Sequence, residues 1–314
     1  MKKKIIFIFL LVLMLLIVGC AKKAETPTGP FVGGENGLEI GYVSGEPPES
    51  VFDNNQEDFD ITVKVENVGE FDIPANKVIA TLSGISAPDF SISNPNIILK
   101  NPLEGTHKVN SEIIKGDEDE LRFENAKYKH DLVADFSTSV RTDICYLYET
   151  KTTTKACLKR KATQRDIDDA CQVNNDNIRV DNSGAPIQIS GVRERSAGTN
   201  EVQLTFTVEN MGSGITYPPD TFTNTCVRKQ DKEDRLKIEV RTGSNRHTVK
   251  CAQLNDGASG EIKLSENKRP LRCTISTANA PDGGGAFEEP INIIASYFYK
   301  NAITTPLDVQ DSEE

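Results

Sequence analysis

The sequence predicts an all-β chain: two tandem antiparallel β-sandwiches behind an N-terminal signal or anchor helix. Three observations predict it. Apolar and polar residues alternate with period two in one short segment after another. The clearest of those segments occurs twice. Turn formers (Asn, Asp, Thr, Ser, Gly and Pro) are plentiful, while stretches with helical periodicity are almost absent.

The N-terminus comes first. Lys2, Lys3 and Lys4 precede an uninterrupted apolar run from Ile5 to Val18. A membrane-spanning helix needs roughly 20 apolar residues, so this run has the length and basic flank of a secretory signal. It ends in Ile17-Val18-Gly19-Cys20, which resembles the lipobox of lipoprotein signal peptides, with Ile17 where Leu is commoner. The resemblance implies cleavage after Gly19 and a diacylglyceryl group on Cys20. Residues 1–19 are then the signal peptide, and the membrane lipid is the first expected partner. Two acyl chains hold a protein stably where one does not. The alternative is an uncleaved anchor helix with Cys20 a bystander. Either way the remainder lies outside the cytoplasm, at the cell surface or in the periplasm.

Net charge is −11, so the basic stripe of a nucleic-acid binder is missing. Setting Cys20 aside leaves Cys145, Cys157, Cys171, Cys226, Cys251 and Cys273. An even number in an exported chain reads as disulfides, and no C-x-x-C spacing suggests zinc or redox chemistry. Free thiols in a reducing compartment are the competing reading.

The body carries an internal repeat. Phe59 to Gly69 reads F-D-I-T-V-K-V-E-N-V-G, and Val202 to Gly212 reads V-Q-L-T-F-T-V-E-N-M-G. Each alternates as a half-buried strand. Each ends in Asn-x-Gly, expected to turn because Asn and Gly tolerate positive φ. The echo continues in Leu121-Arg122-Phe123 with Leu271-Arg272-Cys273, and in Tyr146-Leu147-Tyr148 with Tyr297-Phe298-Tyr299. Strands near Val78–Leu82 and Leu236–Val240 fill the middle of each repeat. About seven short strands in roughly 110 residues suggest an immunoglobulin-like (Ig-like) sandwich. The V-x-V-x-N-x-G pattern, F-x-V-x-N-x-G in the second half, resembles the CARDB family of extracellular, adhesion-related Ig-like modules. That resemblance implies a surface spacer or binding module with no catalytic residues.

The expected layout is a flexible tether over 20–36, sandwich one over 37–159, a linker over 160–176, sandwich two over 177–309 and an acidic, frayed tail over 310–314. The linker holds the one candidate helix, capped by Thr163. A hairpin turning near Lys151 would pair Cys145 with Cys157. Cys251 would pair with Cys273 inside the second sandwich. Cys171 and Cys226 remain, and would pin the linker to an insertion at 226–235.

Sites for chemistry are few. His107, His130 and His247 are isolated, and no nucleophile elbow, phosphate loop or dinucleotide fingerprint occurs. Acidic clusters at Glu57-Asp58, Asp117 to Glu120, and Asp166, Asp168 and Asp169 read as solvated turns, with Ca²⁺ the alternative; none matches a calcium loop. No metal or other cofactor is otherwise expected. Tyr146, Tyr148, Tyr297 and Tyr299 fall on one face of a late strand in each half. They are core or cross-strand partners, or else an exposed ladder for a glycan or peptide. The function expected is a non-enzymatic, lipid-anchored surface protein for adhesion, binding or spacing, its partner a surface protein or glycan. An accessory subunit of a membrane secretion or transport complex is the runner-up, and a secreted hydrolase the third reading.

Overall fold

The computed structural model describes residues 29–110, 112–161, 169–280 and 285–312. Cys20, the signal segment and the candidate helix at Thr163 lie outside the described residues. The first repeat contributes β1 (Leu38–Tyr42), β2 (Ser50–Phe52), β3 (Phe59–Asn67), β4 (Val78–Ser83), β5 (Asn96–Ile98), β6 (His107–Val109), β7 (Glu112–Ile114), β8 (Glu118–Ala126) and β9 (Phe136–Leu158). The second contributes β10 (Val180–Asn182), β11 (Ile187–Ser196), β12 (Glu201–Asn210), β13 (Ile215–Tyr217), β14 (Arg235–Thr242), β15 (Val249–Cys251), β16 (Ser259–Lys263), β17 (Lys268–Ser276) and β18 (Phe287–Gln310). The fold is all-β and its sheets are overwhelmingly antiparallel, β2 with β18 being the parallel pair. No helix among the described residues is long and apolar enough to cross a membrane.

The period-two pattern is realised directly. In β12, Val202, Leu204, Phe206 and Val208 are buried while Gln203, Thr205 and Thr207 are half-exposed. In β3, Ile61, Val63 and Val65 are buried likewise, with Asp60 and Lys64 half-exposed, but Thr62 is buried as well. These strands centre two small sheets, β1-β3-β8 and β11-β12-β17-β15. Both lie on the same face of one large sheet of order β16-β14-β18-β9-β4-β5, with β2, β10 and β13 added along it.

The large sheet belongs to both repeats. Its centre is the antiparallel pair β9–β18, matched over twenty-three residue pairs without a bulge, a ribbon of roughly 75 Å. Tyr148 faces Tyr297, Leu147 faces Phe298, and Tyr146 faces Tyr299. Leu147 and Phe298 are also each other's repeat equivalents, so a pseudo-twofold axis passes between them. Each long strand serves first its own half and then the other. β4 pairs with β9 over 141–146, and β14 pairs with β18 over 291–296. Beyond the axis, β18 runs on beneath the first small sheet and β9 beneath the second. One continuous apolar core therefore runs through both halves, from Leu38 and Val309 to Leu264 and Leu158.

The layout expected from sequence needs three amendments. Lys151 sits inside β9, so no hairpin turns there. The stretch read as tether is held from residue 32 onward. Glu70 accepts from the Val32, Gly33 and Gly184 amides at 2.8, 2.8 and 2.6 Å, and Gly34 O accepts from Ala185 N. The acidic tail is tied down as far as Ser312, whose amide and hydroxyl donate to the buried Asp53 carboxylate.

Candidate functional site

The four tyrosines nominated as a binding ladder are each almost fully buried, so they offer no face to a ligand. They stack as a four-ring cluster on the pseudo-twofold axis, with centroids 5.6–6.4 Å apart. Burial pushes every one of the four phenols upward, Tyr299 to about 12. Their hydroxyls explain the repeated Asn-x-Gly. Tyr148 donates to Asn67 Oδ1 and Tyr299 to Asn210 Oδ1, both at 3.0 Å. Asn67 Nδ2 then donates to the carbonyls of Phe71 and Leu103, and Asn210 Nδ2 to that of Gly214. The motif is a latch between layers. Positive φ, the expected reason for it, is not found at Asn67, Gly69, Asn210 or Gly212. Glycine is needed because a Cβ on Gly69 would lie 2.0 Å from the Tyr148 hydroxyl, and one on Gly212 would lie 2.4 Å from that of Tyr299.

The cysteines pair as Cys145–Cys226, Cys157–Cys171 and Cys251–Cys273. The last joins residues directly opposite on β15 and β17. The expected Cys145–Cys157 and Cys171–Cys226 pairings are replaced, for a geometric reason. Cys145 and Cys157 are twelve residues apart on one straight strand, hence roughly 40 Å apart, whereas bridged Cα atoms lie within about 7 Å. Instead Cys157 closes onto the linker, and Cys145 crosses to the insertion of the second repeat. Three disulfides fit an oxidising, extracytoplasmic environment.

The insertion begins earlier than expected, spanning 218–234 between β13 and β14, and with β13 it covers the outer face of the large sheet. Tyr217, Phe222 and Cys226 form a second apolar cluster with Ile79, Cys145 and Phe298. Phe222 packs edge-on to Tyr217 and Phe298. Cys226 N donates to Thr81 Oγ1 at 2.8 Å, and the buried Lys300 ammonium donates to Cys226 O at 2.7 Å beside Asp143 at 3.3 Å. Desolvation lowers the Lys300 pKa. Both sides of the axis contribute to this plug.

A groove of about 740 Å³ lies at the end of β9, walled by Thr153 to Cys157, by Asn174 to Arg179 where the linker meets the second repeat, and by Gly29 and Pro30. Glu194 lines it, 1% exposed. Its Oε1 accepts from Cys157 N at 2.8 Å, and burial pushes its carboxyl up to about 8. Sequence reading passed over this residue, although a signal existed. Ile187, Ile189 and Val192 point inward around the bulge after Ser190, and Glu194 occupies the next inward position. The other acids of the groove are matched by cations: Asp176 by Arg195, Asp181 by Arg179 at 2.8 Å, and Glu288 by Lys155 at 2.6 Å. The walls thus present hydrogen-bonding groups with little net charge, and neither a histidine nor a free thiol.

The remaining candidates are dispersed. His107 is exposed, His130 pairs with Asp89 at 3.0 Å, and His247 Nδ1 lies 3.0 Å from Ser276 O. Asp58 pairs with Lys127, and Glu118 with Lys64. Asp117 accepts from Glu104 N, while Asp169 binds Lys159 and Ala286 N. Asp166 and Asp168 lie outside the described residues. Among the described residues no three His, Cys, Asp or Glu side chains gather to hold a metal ion.

No family model matches the chain, and no curated protein matches it. Among solved structures, the secreted serine protease VesC from Vibrio cholerae is similar at 9% identity over 83% of this chain and 50% of that one, with a TM-score of 0.17. The matched region is about half the length of that protein, and a likeness of this degree carries no argument.

Proposed function

We propose that the chain is a non-enzymatic, lipid-anchored surface protein in which two fused Ig-like modules act as a stiff spacer and binding platform outside the cytoplasm. The observation that carries this reading is the shared ribbon β9–β18. Two repeats joined through twenty-three residue pairs and one common core cannot hinge as beads on a flexible linker do. The Cys145–Cys226 bridge across the axis reinforces the same stiffness. The lipobox-like Ile17-Val18-Gly19-Cys20 supports the anchor, and the CARDB-like strand signature supports an adhesive or structural role. The tyrosines that could have formed a ligand ladder support the reading from another direction, since their hydroxyls are used to hold the layers together.

The test is the intact mass of protein extracted from membranes and alkylated without reduction. A chain beginning at an acylated Cys20 with no alkyl label is expected. A chain beginning at Met1 with labelled thiols would sink both the anchor and the compartment. Turnover of a surface polymer by the purified protein would overturn the non-enzymatic part.

The end of the ribbon away from the groove favours the runner-up, a subunit docking a membrane complex. Phe52, Val133 and Phe136 are exposed there, two of them beside the last pairs of β18. In-cell crosslinking from this end separates the readings. One stoichiometric partner supports the docking subunit, and diffuse contacts support the spacer.

A further inference from the structure

The two repeats close the same connection in different ways. In the second, β16 passes to β17 through four residues, Leu264 to Asn267. In the first, the chain between β5 and β8 takes nineteen residues, 99–117, and carries β6 and β7. Both connections return to one equivalent backbone bond, Asn67 N to Asp117 O and Asn210 N to Asn267 O. The fold therefore does not require the extra hairpin.

Among the described residues the hairpin β6–β7 pairs with no other strand. A lone two-stranded ribbon is marginal in water, yet this one is apolar at its surface. Val109 is 44% exposed, Ile113 49% and Ile114 45%. Val109 and Ile114 share one face and Ile113 lies on the other, because Val109 is opposite Glu112 and His107 opposite Ile114. A protein groove would cover one face, whereas a bilayer interface surrounds both. Lys108 stands one pair back from the tip, Lys115 follows Ile114 at the root and Glu112 is the acid at the tip, in a chain of net charge −11. The root places the hairpin next to the anchor side of the molecule. Thr106 N donates to Gly69 O, and the next residue, Glu70, grips Val32 and Gly33. Cys20 precedes Val32 by twelve residues, a reach of at most ~40 Å.

We infer that the β6–β7 hairpin is a membrane-contacting element, whose Val109, Ile113 and Ile114 enter the interface of an anionic bilayer while its lysines meet the headgroups. The inference rests on the lipid-anchor reading of Cys20 for its orientation. Interfacial elements of this kind sink about 5–10 Å into the headgroup boundary, within the projection of two three-residue strands.

The chain contains no tryptophan, so Ile114→Trp in the full chain is a single emission reporter at an exposed site. Val133→Trp, 100% exposed and beyond the end of β8 that lies away from the hairpin, is its control. In phosphatidylcholine–phosphatidylglycerol vesicles the Ile114→Trp emission is expected to shift to the blue and to be quenched about twofold or more by acyl-brominated lipid, with the control unchanged. Water-like emission from a chain whose mass shows acylated Cys20 would overturn the hairpin and leave the anchor standing. Equal quenching at both positions would also overturn it, as would a blue shift in native membranes that is missing from pure lipid. If Cys20 proves unacylated the anchor fails. The same protein added to vesicles then still decides the hairpin, quenching supporting it and unquenched emission refuting it.

Discussion

The two halves have one plan and differ in where each places its extra chain. The second half spends 218–234 as an inward plug, seating Phe222 and Cys226 on the outer face of the large sheet. The first spends 99–117 on the outward hairpin β6–β7, with three exposed apolar side chains. The same device, an insertion between strands, yields stability in one half and an accessible apolar surface in the other. What separates them is the partner each insertion meets. The plug meets a ready-made apolar patch and a cysteine on β9, and the hairpin meets only the polar end of its own sheet. Pseudo-symmetry is therefore useful for finding function, because it marks which segments the fold could do without.

The largest effect that would sharpen this comparison is loss of the plug's bridge. Cys145→Ser with Cys226→Ser opens a loop of sequence separation 81, for which chain entropy gives about 4–5 kcal/mol. Cys157→Ser with Cys171→Ser opens a separation of 14, worth about 3 kcal/mol. Denaturant unfolding should rank them in that order. Equal losses would mean that the plug adds nothing beyond an ordinary loop.

Next come the repeated glycines. A Cβ at Gly69 would also lie 2.5 and 2.6 Å from the Gly184 and Asn36 carbonyls, while at Gly212 the next contact is Pro186 Cβ at 3.1 Å. Overpacking costs about 1–3 kcal/mol or more. Gly69→Ala should sit at or above the top of that range and Gly212→Ala near its middle. The reverse order would break the claim that the first latch is the more crowded.

The third effect is a pH dependence confined to the second half. The folded pKa of Glu194 is raised from 4.5 to about 8. The folded chain therefore keeps a proton that the unfolded chain releases above its ordinary value. This contribution is complete below about pH 4.5, falls by about 1.4 kcal/mol per pH unit as pH rises, and is gone above about pH 8. Thermal melts of Glu194→Gln should lose that slope while keeping the bond from Cys157 N. An unchanged slope would place the titration elsewhere.

Smaller still are the latch hydroxyls. Tyr299 Oη accepts from Gly214 N at 2.8 Å, whereas Tyr148 Oη accepts from Phe71 N at 3.4 Å. Removing a buried hydrogen bond costs about 1–3 kcal/mol, so Tyr299→Phe should cost more than Tyr148→Phe in urea titrations. The smallest effect belongs to the hairpin. Ile113→Ser should change stability by less than about 0.5 kcal/mol, as at surfaces generally. A larger loss would show that the hairpin is packed rather than presented.

The sequence by itself determined a great deal of this. The alternation in β3 and β12, the duplication, and the recurring Tyr-x-Tyr are local patterns, and burial follows them because a strand's side chains alternate wherever it runs. An even set of cysteines without metal spacing was equally legible, and the six pair as three bridges. What only the tertiary structure decided is where strands continue and what they meet. Nothing local distinguishes a turn at Lys151 from a strand running through it. That choice is made by β18, which supplies a partner for every residue of β9 and so rules out the expected Cys145–Cys157 pair. The roles of Asn67, Gly69 and Glu194 were likewise hidden, because each is set by a group tens of residues away: the hydroxyl of Tyr148 for the first two and the amide of Cys157 for the third. Periodicity is a property of the chain, whereas register and contact belong to the packed whole.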